Sequence, residues 1–382
     1  MSDISLLARN HVELLPAGGL EAKLKHGRPL RVKLGIDVTS PDIHVGRGIP
    51  LQRMRAFQDA GHIGVLIVGD YTTRLGDPSG RSAERPILSD DEIDANAKLY
   101  VDQAMQILDP DRTEVRFNGE WLSKLSFADT VRLTRTLTVA QLLERDDFSK
   151  RVAAGQPVSV SELLYPLMQA YDSVAIEADV ELGGTDQLYN LLAGRTVMEA
   201  YGLEPQVVLT TPLLVSWDGA KMSSSIGNNI PLAAAPEEQF GRTMRIPDTM
   251  LADWYRLVVE EPVPEGDAMD AKLALARFIV ARSHGPEAAI EAEAHFTRVV
   301  REGGAPADVP QGVLPAGDPI HLPALLAAAF GLSTSDARRM IGQGGVKVNG
   351  TAATSLDMPR AELGGALVQA GKRRFVQYPP AD

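Results

Sequence analysis

The chain has 382 residues, 44% of them apolar, a net charge of -12 and no cysteine. Such a length suits about two or three domains with real cores, and the missing cysteines exclude disulfides, thiolate metal sites and thiol nucleophiles. No run of about 18 apolar residues and no secretory core is present, so a cytoplasmic chain without membrane spans and with no protein-held metal is expected.

Arg31-Val-Lys-Leu-Gly-Ile-Asp37 and Ile63-Gly-Val-Leu-Ile-Val-Gly69 read as buried strands, each a short apolar run closed by turn residues. Between them Leu51, Met54, Phe57 and Ala60 recur every three residues until Gly61, the pattern of an amphipathic helix with a glycine stop. A strand-helix-strand unit of this kind carries its ligand beyond the carboxyl ends of the strands. The alternation continues with a helix near 90–108, a strand near 113–117, helices to about 175, a strand near 178–182, a helix over 185–201 and a strand near 206–209. The expected class is α/β, built on a doubly wound parallel sheet. Residues 236–301 read as helical, with Pro286 opening the last helix.

Four glycines and five prolines then make 302–323 an extended linker. The end of the chain holds a helix, a hairpin-like Gly344-Gly-Val-Lys-Val-Asn-Gly350 and the segment Gly371-Lys-Arg-Arg-Phe-Val376. Expected domains are 1–230, 231–302, a linker over 303–321, and 322–382. Residues 330–382 carry seven Lys/Arg against four Asp/Glu, reversing the balance of the acidic remainder. That suits a polyanion held at one end, or an ordinary basic surface.

Five stretches carry chemistry. After the first strand, Asp37-Val-Thr-Ser-Pro-Asp-Ile-His-Val-Gly-Arg-Gly48 leads into a helix whose free N–H groups, beside His44 and Arg47, offer an anion site or simply a turn. Gly76-Asp-Pro-Ser-Gly-Arg81, with Arg85 beyond it, is a tight loop whose arginines would face the same crevice and could grip a polyphosphate. In Tyr165-Pro-Leu-Met-Gln-Ala-Tyr-Asp172 a phenol, an amide and a carboxylate lie along one edge of an apolar helix, which suits a pocket wall better than a Lys/Glu rim. Glu181-Leu-Gly-Gly-Thr-Asp-Gln187 ends a strand on two glycines; Asp186 could accept from a ribose, or the turn is only a helix cap. Lys221-Met-Ser-Ser-Ser225 is a lysine in a hydroxyl-lined loop, either a linker or a mobile element closing over a leaving pyrophosphate.

Taken together and in this order, the five stretches resemble the class I aminoacyl-tRNA synthetases, specifically the bacterial tyrosyl-tRNA synthetases, from about residue 30 to the C-terminal end. His44-Val-Gly-Arg47 is similar to the HIGH signature and Lys221-Met-Ser-Ser-Ser225 to KMSKS. The resemblance implies a Rossmann-like class I core, then a helical anticodon-binding domain and a small α+β S4-like RNA-binding domain. It implies tyrosine and ATP as substrates, Mg²⁺ on the nucleotide phosphates, tRNA(Tyr) as acceptor and a homodimer.

By position, the resemblance places Thr39, His44, Arg47, Lys221 and Ser224 in catalysis. Asp37, Gly46, Arg81, Arg85, Gly184, Asp186, Met222, Ser223 and Ser225 fall around ATP, and Lys33, Gly35, Thr72, Asp77, Tyr165, Gln169, Asp172 and Gln187 around tyrosine. Three positions depart from the family pattern: Arg47 replaces the second HIGH histidine, Ser224 the second KMSKS lysine, and Val38 a proline. The Val-Lys-Leu-Gly form around Lys33 resembles one bacterial subgroup. Alternatives are a weakened paralogue that binds RNA, against which the intact tyrosine-pocket residues speak, and an enzyme of the same fold that charges an acceptor other than tRNA, or a synthetase for tryptophan, which Tyr165, Gln169 and Asp172 together disfavour.

Overall fold

Short apolar runs between turn residues pair side by side into a six-stranded sheet: β1 (Glu13–Leu15), β2 (Arg31–Ile36), β3 (Ile63–Val68), β4 (Thr113–Phe117), β5 (Val180–Gly184) and β6 (Val207–Thr211). The computed structural model describes residues 4–74, 88–302, 304–305, 309–371 and 374–380. It separates two units, Met1–Ala235 with Arg242–Leu275, and Pro236–Gly241 with Ala276–Asp382.

In the first unit the strand order is β1-β6-β5-β2-β3-β4. Strands β2 to β6 are parallel, as the alternation of strands and helices requires, and β1 pairs antiparallel with β6 through Leu14 and Leu209. The sequence reading has no strand at β1. Its three residues carry no period of their own, and pairing with an already formed edge makes them a strand. From β2 the chain proceeds outward to β3, whereas from β5 it proceeds the other way to β6. The switch point therefore lies between the carboxyl ends of β2 and β5, where such sheets hold ligands.

Helix α1 (Val45–Asp59) buries Leu51, Met54 and Phe57 completely and is stopped by Gly61 at φ +94°, a conformation that favours glycine. Helix α2 (Asp90–Ala104) follows β3, and α3 (Val160–Ile176) precedes β5. The start of α3 is set by Ser159, whose hydroxyl accepts from Glu162 N at 3.2 Å while the Glu162 carboxylate accepts from Ser159 N at 2.8 Å. Helix α4 (Leu188–Ala200) runs from β5 towards β6.

The second unit contains α5 (Pro286–Phe296), opened by its proline behind Gly285, then α6 (Leu322–Phe330) and α7 (Thr334–Gly342). Strands β7 (Val346–Val348), β8 (Thr351–Ala352), β9 (Leu367–Ala370) and β10 (Arg374–Gln377) form an antiparallel sheet in the order β10-β9-β7-β8. Asn349 at φ +48° and Gly350 at φ +83° make the tight turn between β7 and β8. Leu322, Leu326, Val346, Leu363 and Val368 are fully buried against one another in its core. Part of the expected 302–323 linker belongs to this unit. Gly312 N donates to Gln377 O at 2.8 Å and Gln377 N to Pro310 O at 2.9 Å, so the segment extends the sheet at β10. Among the described residues no helix is long and apolar enough to cross a membrane.

A methyl group at Gly64 of β3 would stand 2.8 Å from Met54 Sδ and 3.0 Å from Gln58 Nε2. Gln58 cannot yield cheaply, since Nε2 donates to Asp109 O, Arg112 O and Thr113 Oγ1. Gly64→Ala is expected to destabilise the first unit by about 1–3 kcal/mol. All three tryptophans lie in that unit, so their fluorescence during urea unfolding reads the change.

Candidate active site

At the switch point the loops after β2, β3, β5 and β6 enclose a cleft of about 1070 Å³. It gathers Gly35, Asp37 and Thr39 from the end of β2, His44, Gly46 and Arg47 from the start of α1, and Thr72 after β3. Tyr165, Gln169 and Asp172 face it from α3, Gly184, Asp186 and Gln187 from the turn after β5, and Lys221, Met222, Ser223, Ser224 and Ser225 from beyond β6. Asp77, Arg81 and Arg85 lie outside the described residues.

One backbone splice explains why positions so distant in sequence share this space. Val45 N donates to Ile230 O at 3.0 Å and Leu232 N to Ile43 O at 2.7 Å, with His44 bridged to Pro231. The chain leaving the lysine loop is thus stitched to the residues that begin α1. His44 caps that helix, its Nδ1 accepting from Arg47 N at 3.2 Å. That bond leaves Nε2 to carry the ring proton. Burial, then Arg47 and Lys221, push the imidazole down to about 3, so it is a neutral donor at ordinary pH. The Arg47 guanidinium donates to Asp42 O at 3.3 Å.

The serine-rich segment is more ordered than a free linker. Met222 is buried and its N donates to Leu214 O at 3.0 Å, while Lys221 bridges back to Val215. Asn228 holds the turn from inside: its Oδ1 accepts from Ser223 N at 2.8 Å, and Nδ2 reaches both Asp218 oxygens and Lys221 O. Asn229 donates to Ser224 Oγ at 3.2 Å, and the Ser223 and Ser225 hydroxyls are 2.8 Å apart. Lys221 itself reaches across the cleft mouth to Asp186, 2.6 Å away. A methyl group at Gly184 would fall 2.6 Å from Asp186 Oδ1 and 2.8 Å from Leu213 Cδ2, so glycine leaves both side chains their present places.

Deeper in the cleft, Asp172 is only 3% exposed. Its Oδ1 accepts from Trp121 Nε1 at 2.8 Å and its Oδ2 from Asn118 Nδ2 at 3.4 Å. Burial pushes the carboxyl up to about 7, against the opposing pull of Lys33, Trp121 and Asn118. Nearby, the Tyr165 hydroxyl donates to Asp37 Oδ2 at 3.1 Å and Thr72 Oγ1 to Asp37 Oδ1 at 2.8 Å. A methyl at Gly35 would touch nothing within 4 Å, so glycine keeps that part of the cleft open. Asn118 and Trp121 are absent from the sequence reading. Asn118 follows the last residue of β4, and position just past a parallel strand is the signal that could have found it.

Lys33 is the one expected residue among those described that does not line the cleft. Its ammonium, wholly buried, pairs with Glu181 at 2.8 Å and donates to Gln169 O and Ser173 Oγ, each at 2.8 Å. A buried ammonium requires a counter-charge, and Lys33 finds it in its direct register partner on β5. The expectation that Lys33 touches a substrate phenol is corrected accordingly.

The family model for class I tRNA synthetases (W and Y) matches residues 25–301, which makes this a class I synthetase cleft. A tyrosine–tRNA ligase of Moorella thermoacetica is 45% identical over 98% of this chain and 95% of its own length. One of Ralstonia nicotianae is 47% identical over 96% and 97%. Tyrosyl-tRNA synthetase of Archaeoglobus fulgidus, solved with L-tyrosine, is similar in fold, with a TM-score of 0.63 at 22% identity over 76% of this chain and 98% of that one. The chain belongs to the bacterial tyrosyl-tRNA synthetases.

Asp172 titrates near 7 in the folded chain against an ordinary 3.8, so its ionisation opposes folding increasingly as pH rises between those values. Stability carried by the protonated carboxyl is fully present below about 4 and lost as pH rises through about 7. Asp172→Asn is expected to raise the melting temperature of the first unit at about pH 8 and to lose that gain near about pH 4. An equal gain at both values contradicts the assignment.

Proposed function

We propose that this cleft joins tyrosine to AMP using ATP and then passes the tyrosyl group to the 3′ end of tRNA(Tyr). The observation that carries the tyrosine assignment is a buried, doubly hydrogen-bonded carboxylate at Asp172, oriented by neutral donors and open to one further donor from the cleft. A phenol supplies that donor; a phenyl ring leaves the acid desolvated without recompense. Gln169 and Tyr165, with Thr72 and Gln187, are suited to hold the ammonium and carboxylate of the amino acid.

In the proposed reaction the tyrosine carboxylate oxygen attacks the α-phosphorus of ATP and the bond to the bridging oxygen breaks. Pyrophosphate leaves with the electron pair. Neutral His44, through Nε2–H, and the free N–H groups at the start of α1 donate to the phosphates, with Arg47 beside them. Lys221 leaves Asp186 for the departing pyrophosphate, and Asp186 is then free to accept from the ribose. Catalysis comes from placement and charge, without a covalent enzyme intermediate.

Mg²⁺ would travel on the phosphate oxygens and neutralise charge there. No cluster of three His, Asp or Glu that could hold a metal occurs among the described residues.

We also propose an S4-like RNA-binding module over 322–382, within the second unit, and anticodon-binding helices over 231–302, a stretch divided between the two units. Arg338, Arg339, Lys347 and Arg374 are exposed on the module, and they suit a phosphate backbone. A homodimer is proposed on the strongly exposed Phe127 and the neighbouring Val131 and Val139, and cytoplasmic residence follows from the activity.

Amino-acid-dependent exchange of labelled pyrophosphate into ATP tests the reaction: tyrosine alone among the twenty amino acids is expected to support it. Asp172→Asn is expected to reduce the tyrosine-to-phenylalanine ratio by more than about tenfold. An unaltered ratio removes Asp172 from recognition. A chain lacking 322–382 is expected to retain exchange and lose tRNA charging; loss of both makes the module structural.

A further inference from the structure

Beneath the cleft floor lies a buried pair, Lys33 and Glu181, that the reaction above does not use. Glu181, 1% exposed in the middle of β5, accepts from four donors on three other elements. These are Lys33 of β2 at 2.8 Å, Gln169 Nε2 and Ser173 Oγ of α3 at 3.3 Å each, and Gln206 Nε2 just before β6. Lys33 completes the ring by donating to Gln169 O and Ser173 Oγ. Both residues that α3 contributes flank Asp172 on the same helix, three positions before it and one after.

We infer that Lys33 and Glu181 are a positioning pair that sets the selectivity of the cleft for a phenol, acting through Gln169 and Asp172 rather than by touching the amino acid. The inference rests on the tyrosine reading of the cleft.

Two consequences of the geometry support it. First, the pair locks α3 to the sheet at the turn that presents Asp172. The Lys33 ammonium bonds a backbone carbonyl and a hydroxyl one helical turn apart, which fixes both rotation and height of the helix. The same carboxylate that meets Lys33 also takes an amide proton of Gln169, so the carboxamide presented to the cleft is oriented from below.

Second, the pair decides the charge of the recognition acid. Groups acting on Asp172 are Lys33 from β2, Glu181 from β5, and the neutral donors Trp121 and Asn118 following β4. Arg116 lies over the Trp121 ring, 5.4 Å from its centroid. Lys33 is the cation that lowers Asp172 most, whereas Glu181 acts oppositely and more weakly. An ionised Asp172 accepts a phenolic proton in a charge-assisted bond, and a protonated one does so less well.

The test is pyrophosphate exchange with tyrosine and with phenylalanine across about pH 5.5 to 9, on the full chain. Wild type, the double variant Lys33→Met with Glu181→Gln, and Ser173→Ala are compared. The double variant removes both charges together and so avoids stranding one of them. Its tyrosine-to-phenylalanine ratio is expected to fall by about tenfold or more, with KM for tyrosine rising more than kcat falls. Its acid limb for tyrosine should move to higher pH, because the larger of the two influences on Asp172 is gone. Ser173→Ala, which alters no charge, should lower the ratio less and leave the acid limb in place.

If the double variant does not fold, Lys33→Gln with Glu181→Gln, which also removes both charges, takes its place and the same shift of the acid limb is expected. A ratio within about twofold of wild type and an unmoved acid limb overturn the inference and reduce the pair to a structural tie. Wild-type chain that supports exchange with no tyrosine at all overturns the tyrosine reading instead, and the inference with it.

Discussion

Holding a hydrogen-bonded carboxyl group in a place from which water is largely excluded is the constraint around which the first unit is arranged. Asp172 pays a desolvation penalty that its neighbours only partly offset. Trp121 and Asn118 are stationed after β4 to donate to it, and β4 is adjacent to β3, which in turn flanks β2. The strand order of the sheet therefore places the donors opposite the helix that carries the acid. A fold that ended one strand earlier would leave Asp172 buried without them.

The second constraint is topological. Chain segments on either side of the switch point can reach a common ligand only if the loop after β6 returns to the start of α1. The backbone pairing of 43–45 with 230–232 provides that return and makes it independent of any side chain. Lys221 is brought near His44 as a consequence, and the lysine helps hold the imidazole neutral. Asp186 meets the Lys221 ammonium at 2.6 Å, and an ion pair this open to solvent is weak and readily exchanged.

Much of this was legible in the sequence because parallel strands announce themselves locally. The runs at β2, β3, β5 and β6 are largely apolar, short and bounded by turn residues, and the chemistry sits just past their ends. The residues of α3 were found by helical spacing, which needs no tertiary information. Lys33 was misplaced for a physical reason. The resemblance put it beside tyrosine by position alone, which says nothing of its partner, and the partner is a second charge inside another buried strand. Val32-Lys-Leu34 and Val180-Glu-Leu182 each place one charge between two apolar residues, with opposite signs and in register, and that coincidence was the available signal. The asparagine that secures the lysine loop was not readable, since Asn228 looks like any turn residue until its amide is seen to bond three separate backbone and carboxylate groups. β1 and the Pro310–Gly312 edge were also hidden, being strands only by virtue of what they pair with.

The central claim is spatial: one ligand lies with its phenol on Asp172 and its phosphate between His44 and Lys221. A crystal structure with a non-hydrolysable tyrosyl-adenylate analogue tests it most directly. The account predicts the phenolic oxygen within about 3 Å of an Asp172 carboxylate oxygen, the phosphate mimic between the start of α1 and the lysine loop, and Lys33 still on Glu181. An analogue bound with its ring away from Asp172, or with its phosphate mimic remote from His44, would contradict it.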